Sequence, residues 1–277
     1  MKVGESRNIF YPQSEIATVL LPVTRGCSYN QCSFCTMYKE EVYEEVPIRE
    51  IEFELMNGDV YTERVFLTGA DPLTIGYDKM LQILHMIQRY YPYCGCVSSY
   101  AAVRTLKKYS VEDLKNLHEA GLRLLYIGFE SGSDSVLKMM RKGHTLKDAV
   151  EVGKKLNAAK LLFNSIIMYG IAGKGASEEN AKATAEMLNQ FETRKIITMN
   201  LTVFHGTEIA DLEHAGKFEQ AGTQEKKKEI QRLLECLDVK KGVEFDTTHA
   251  TNLMKIQGTL PQDRECLLNK IEEYLKE

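Results

Sequence analysis

No stretch of this 277-residue chain approaches the roughly 18 consecutive apolar residues that a membrane helix requires. The first residues, Met1-Lys2-Val3-Gly4-Glu5-Ser6-Arg7-Asn8, lack the long apolar core of a secretory leader. An excess of one charge is missing too. Lys and Arg number 35 against 39 Asp and Glu, a formal net charge of -4, which argues against a protein whose main task is to wrap nucleic acid while leaving room for a local basic patch. No internal repeat, low-complexity tract or linker interrupts the chain. The seven cysteines are odd in number and fit a reducing compartment better than a disulfide framework. These absences lead to the expectation of a cytosolic protein with one well-packed domain, away from the membrane.

Three of the cysteines are crowded into one loop, Arg25-Gly26-Cys27-Ser28-Tyr29-Asn30-Gln31-Cys32-Ser33-Phe34-Cys35. They offer three thiolates to one metal centre and no fourth. A closed zinc site takes four protein ligands, whereas an iron–sulfur cluster can leave one iron open to a cofactor. A chance run of reduced core cysteines is the rival reading, but free cysteines are usually buried singly, not grouped among Gly, Ser, Asn and Gln. Arg25 and Asn30, beside the sulfurs, are candidates to tune such a centre. The other four cysteines form no second compact set: Cys94 and Cys96 precede a strand, and Cys236 and Cys266 lie in predicted helices.

The loop follows an apolar run, Ala17 to Leu21, that reads as a buried strand, and precedes a predicted helix from Pro47 to Met56. Five further apolar runs follow, at Val65–Leu67, Gly95–Tyr100, Leu124–Phe129, Leu161–Met168 and Ile196–Leu201. Amphipathic stretches separate them, about Lys79–Tyr90, Val111–Ala120, Ser133–Arg141, Leu146–Ala158 and Ser177–Phe191. Strands alternating with helices at this spacing predict a parallel sheet with right-handed crossovers, curved into an incomplete version of the eight-unit barrel. The expected class is therefore α/β, a partial (β/α)6 TIM-like barrel. The expected organisation is an N-terminal extension over 1–14, a core barrel over 15–210, and a helical C-terminal extension over 211–277 packed on it. That extension holds charged helices about Gln224–Leu237 and Asp263–Lys276, and its Lys226-Lys227-Lys228 run, set between acids, reads as a solvated face.

With its three cysteines and an aromatic before the third, the chain resembles the radical S-adenosylmethionine (SAM) superfamily over about residues 15 to 210. The similarity is to the branch containing the oxygen-independent coproporphyrinogen oxidases and the Elp3-like and methylthiotransferase-like enzymes. One departure is the four residues between Cys27 and Cys32, where three are commonest. The resemblance implies that Cys27, Cys32 and Cys35 hold a [4Fe–4S] cluster whose fourth iron is chelated by SAM. One electron from the reduced cluster would cleave SAM to methionine and a 5′-deoxyadenosyl radical, which abstracts hydrogen from a substrate in the barrel mouth. By the same resemblance Gly69, Ala70 and Asp71 grip the methionine amino group, Ser99 and Glu130 contact the cofactor, and Lys142, with Arg141 as competitor, meets its carboxylate. Met168 belongs to the strand ends past which the adenine lies, and Phe34 and Tyr38 line a face over the cluster or adenine. His205 stands where similar enzymes carry proline. The implied reductant is a flavodoxin or ferredoxin, and a small-molecule or porphyrin-like substrate ranks above RNA because no basic nucleic-acid module is appended. Two other readings stand beside this one: a non-catalytic zinc protein in which Cys94 or Cys96 completes the site, and a radical SAM enzyme acting on RNA.

Overall fold

The protein is described here by a computed structural model covering residues 9–276; residues 1–8 of the expected N-terminal extension lie outside the described residues. Parallel strands buried on both faces read as continuous apolar runs, and the six runs of the sequence become six neighbouring strands. They are β1 (Val19–Pro22), β4 (Arg64–Thr68), β5 (Cys96–Ala101), β6 (Leu122–Glu130), β7 (Leu162–Tyr169) and β8 (Lys195–Asn200). Each is parallel to the next in chain order. Two short strands, β2 (Thr24–Arg25) and β3 (Glu44–Glu45), pair antiparallel as a separate clasp around the cysteine loop.

The helices are α1 (Ile48–Met56), α2 (Tyr77–Tyr90), α3 (Val103–Leu106), α4 (Val111–Glu119), α5 (Asp134–Met139), α6 (Leu146–Ala158), α7 (Ser177–Leu188), α8 (Glu208–His214), α9 (Thr223–Cys236) and α10 (Arg264–Lys276). Two of them start at capping boxes, Ser110 with Asp113 and Thr145 with Asp148, which satisfy backbone N–H groups that a helix start leaves free. Among the described residues no helix is long and apolar enough to cross a membrane.

The sheet separates two apolar layers. Outside, Leu67, Leu125, Phe129 and Phe163 pack with Ile83, Leu117, Val152 and other helix residues in the main core. Inside, Leu20, Phe66, Tyr100, Leu124, Tyr126, Ile166 and Ile197 fill the lumen, with the Phe66, Tyr100 and Tyr126 rings 5.3–6.1 Å apart. Below them lies a fully buried carboxylate. Glu15 accepts hydrogen bonds from the Tyr126 hydroxyl at 2.7 Å and from Arg64 at 3.3 Å, so a short 3-10 turn, Gln13–Glu15, closes the lower end.

The C-terminal segment departs from the expected all-helical extension. Besides α8, α9 and α10 it supplies β9 (Val243–Asp246), parallel to β8, and β10 (Gln257–Leu260), antiparallel to β9, so the same sheet has eight strands. The lysine run is not a solvated face either. Lys226 and Lys227 are buried; the Lys226 ammonium donates to the Leu201 carbonyl at 3.3 Å, and that of Lys227 donates to the Tyr274 carbonyl. Long lysine stems cover apolar surface while the ammonium finds a carbonyl, which a count of charges does not register.

Candidate active site

The cysteine loop lies beyond the carboxyl end of β1, and neighbouring elements stitch it across the barrel mouth. At its base, the Arg25 guanidinium donates to Glu44 at 2.9 Å and to Glu50 at 3.1 Å. In its middle, the Ser33 amide donates to the Met140 carbonyl at 3.0 Å, and the Ser33 carbonyl accepts from the Ile209 amide at 3.0 Å. Arg141 reaches Gln31 at 2.5 Å and Glu208 at 2.8 Å, while the Tyr29 hydroxyl donates to the Arg141 carbonyl at 2.8 Å. The loop is thus fastened to the ends of α5 and α8. Asn30, in the left-handed region at φ 46°, turns its backbone N–H to Cys27 Sγ at 3.3 Å and donates its side-chain amide to the Tyr38 carbonyl at 2.8 Å. N–H donors aimed at sulfur are one of the means by which a protein tunes an iron–sulfur centre.

The thiols of Cys32 and Cys35 face a common charge, the Lys142 ammonium. Burial pushes the Cys32 thiol up, the nearby Lys142 ammonium pulls it down, and Cys35, Glu130 and Cys27 act on it in turn. Lys142 Nζ pairs with Glu130 Oε1 at 2.8 Å and lies 5.8 Å from the centre of the Phe34 ring. Burial alone would lower the Lys142 pKa; the Glu130 carboxylate and the sulfurs of Cys32 and Cys35 outweigh it and hold the ammonium well above its ordinary value. Glu130 occupies a left-handed conformation, φ 66°, where the register between β6 and β7 shifts. A non-glycine residue there costs about 1 kcal/mol or more and persists only when its surroundings fix it.

A second cation, Arg104, enters from α3. Its guanidinium donates to Asp71 at 3.2 Å and to the Ser28 hydroxyl at 3.0 Å, and lies 4.6 Å from the centre of the Tyr29 ring. Asp71 also accepts from Thr105 Oγ1 at 2.6 Å and the Ala102 amide at 3.1 Å. Burial raises the Asp71 pKa, and Thr105 and Arg104 act against that rise. Just before Asp71, Gly69 has φ 132°, and a Cβ there would stand 2.0 Å from Thr24 Oγ1 and 2.8 Å from the Thr24 carbonyl oxygen. Gly69→Ala is therefore expected to lose about 1–3 kcal/mol of stability; an unchanged urea midpoint would show that β2 yields freely.

The sequence pattern defining the Radical SAM superfamily matches residues 21–188 of this chain. The chain belongs to the radical SAM superfamily. Members of this superfamily are enzymes that use a [4Fe–4S] cluster and SAM. A similar protein is the tRNA-2-methylthio-N(6)-dimethylallyladenosine synthase of Idiomarina loihiensis, 24% identical over 245 residues, covering 82% of this chain and 48% of the relative. The heme chaperone HemW of Bacillus subtilis is 24% identical over 189 residues, covering 63% of this chain and 49% of the relative. The chain thus spans about half the length of the curated relatives it matches. In fold it resembles the coproporphyrinogen III oxidase HemN of Escherichia coli, with a TM-score of 0.56, 11% identity, and coverage of 79% of this chain and 51% of the other.

The donor set suits the superfamily's cluster. Cys27, Cys32 and Cys35, free and partly exposed on one fastened loop, are the kind of thiolate ligands that such a cluster takes. A zinc site completed by Cys94 or Cys96 is ruled out by position. Those residues precede or open β5, at the end of the sheet where Arg64 and Glu15 lie, whereas the cysteine loop sits at the carboxyl ends.

Several radical SAM expectations meet at the mouth. Phe34 and Met168 pack in one apolar cluster with Met140, Leu201 and Ile209. Tyr38 is buried beneath the loop, edge-on to Phe10 at 5.2 Å. Others lie elsewhere. Ser99 pairs with Leu67 and Leu125, which belong to the helix-side core, and its hydroxyl donates to its neighbour's carbonyl. Ser98 and Tyr100 take the inner face instead. Asp71 is committed to Arg104, Thr105 and Ala102, and Ala70 follows Gly69 in the same turn. His205 is exposed in the turn before α8.

Arg104 was missed. Its one signal in the sequence is position, a cation four residues past the end of a predicted parallel strand, where such folds gather their chemistry. His144 lies two residues past Lys142. It is buried with Nε2 unpartnered, and burial together with Lys142 pushes it down to about 3, so it is a neutral imidazole at any ordinary pH.

Proposed function

We propose that this protein binds a [4Fe–4S] cluster through Cys27, Cys32 and Cys35 and uses SAM as the source of an organic radical within a functional core over residues 15–210. The observation that carries this reading is the placement of three cysteines on one fastened loop at the strand ends, beside a buried ion pair, Lys142 with Glu130, and an arginine, Arg104. When bound, the cluster supplies the electron that splits SAM into methionine and a 5′-deoxyadenosyl radical, which takes a hydrogen atom from the substrate.

The chain's residues bind, orient and exclude. Lys142 and Arg104 provide positive charge for the carboxylate of SAM, with Arg104 able to offer a planar pair of donors. Glu130 provides a carboxylate for ribose hydroxyls, and the turn Gly69-Ala70-Asp71 presents backbone to the methionine end. Phe34, Tyr38 and Met168 give the apolar wall that keeps water from the sulfonium. Of the Ser98–Ser99 pair, Ser98 is the residue suited to face the cofactor. The substrate is a small molecule entering the mouth, and the reductant is a flavodoxin or ferredoxin. Anaerobic reconstitution followed by SAM and dithionite is expected to yield brown protein, with iron and sulfide in equal amounts, that releases 5′-deoxyadenosine. Protein so loaded that releases none would sink the reading.

A further inference from the structure

The sequence pattern of the superfamily stops at residue 188, yet a buried carboxylate beyond that point holds two strand ends of the mouth. We propose that Glu229, on α9, is a positioning residue that fixes the ends of β6 and β7 so that Glu130 and Met168 are presented to bound SAM; this rests on the function proposed above.

The connection is a continuous run of hydrogen bonds. Glu229, 3% exposed, accepts from the Gly170 amide at 2.7 Å with one oxygen and from the Asn180 side-chain amide at 2.8 Å with the other. The side-chain oxygen of Asn180 accepts from the Ser131 hydroxyl at 2.5 Å, and Ser131 Oγ accepts from the Ser133 amide at 2.9 Å. Ser131 adjoins Glu130, whose left-handed backbone needs outside support, and Gly170 lies two residues past Met168. Neighbouring contacts tie the same rim to the same helix. Glu225 accepts from the Gly175 amide at 2.7 Å, and Lys226 packs so closely under Gly170, φ 74°, that a Cβ there would lie 2.6 Å from its Cε.

The state of Glu229 decides whether this holds. Both of its oxygens accept from N–H donors, which the ionised form does most strongly; protonation weakens one of these bonds and adds a hydrogen that the site must accommodate. Burial raises Glu229 to about 7, against the hydrogen bonds from Asn180 and Gly170. The charged and titratable groups that face it are Glu225 and Lys226 of α9 and Tyr169 of β7, with neutral Ser177 and Asn180 from α7, while Glu213 acts on Lys226. Acidification through neutrality therefore loosens the rim while leaving the cysteine loop, which has separate fastenings.

The test is the SAM dissociation constant of the reconstituted holoenzyme, by equilibrium dialysis from pH 6 to pH 8.5, for wild type, Glu229→Gln and Ser131→Ala. Wild type is expected to bind about tenfold more weakly at the acid end, a loss of about one charge-assisted hydrogen bond. Glu229→Gln, whose amide presents a donor at every pH, is expected to bind about tenfold more weakly throughout and to lack that step, with the cluster's visible absorption unchanged. SAM's own titration moves both curves, so their difference reports Glu229. Ser131→Ala, which removes only the far link, is expected to weaken binding while keeping the pH step, and it serves with the wild-type curve if the glutamine variant fails to fold. Superimposable curves for wild type and Glu229→Gln, or no effect of Ser131→Ala, would overturn the inference while the function stands. Cluster-loaded wild type that binds no SAM at any pH would overturn both.

Discussion

Cys32→Ala is expected to fold with little loss of stability and to lose the chemistry entirely. Among the described residues the Cys32 thiol makes no side-chain hydrogen bond, whereas the loop around it is fixed by Ser33, Arg141, Tyr29 and Arg25. Two thiolates cannot hold a cube that is to keep one corner for SAM. Iron bound after anaerobic reconstitution should fall to background, and 5′-deoxyadenosine formation should vanish with it, while the circular dichroism melt stays near that of the parent. Nucleoside release by the variant at a rate comparable to wild type would end the assignment of this loop as the cluster site.

The second large effect is expected at Lys142. Its side chain and that of Glu130 are 17% and 9% exposed, and the pair sits over Gly128, where a Cβ would stand 2.4 Å from Glu130 Oε1 and 3.1 Å from Lys142 Nζ. Lys142→Met removes the partner and leaves a buried carboxylate without its cation. Breaking a buried pair from one side costs about 3–5 kcal/mol, because the stranded charge stays desolvated. The urea midpoint should drop accordingly, and the double variant Lys142→Met/Glu130→Gln should regain much of the loss, since an amide carries no charge. A single variant as stable as its parent would mean that Glu130 finds another cation.

What the sequence disclosed, and what it hid, follows the physics of each element. The six core strands were legible because burial on both faces leaves an unbroken apolar signature, and α6 appears with the predicted bounds because Thr145 and Asp148 cap it. By contrast β9, Val243-Glu244-Phe245-Asp246, alternates apolar and polar residues over only four positions, and β10 carries a single buried side chain, Leu260. So little pattern resembles an ordinary loop. Helices α3 and α8, at four and seven residues, are too short to show a period. Ser99 lies on the helix side for a simple reason: β5 alternates without a break, so with Val97 and Ala101 in the helix-side core Ser99 faces that core and Ser98 the lumen, while the register irregularity beside them lies on β6 at Arg123. The cysteine loop was legible from composition alone, while its partners were not. Arg104 and Glu229 lie 69 and 194 residues after Cys35 in the chain, and only the folded sheet brings them to the same rim.

The ring-filled lower lumen, with Glu15 sealed beneath Tyr126, stops the barrel at its lower end. On the function proposed above, whatever is consumed and whatever is made would share the upper rim. Anything left there would compete with the next arrival for the same space.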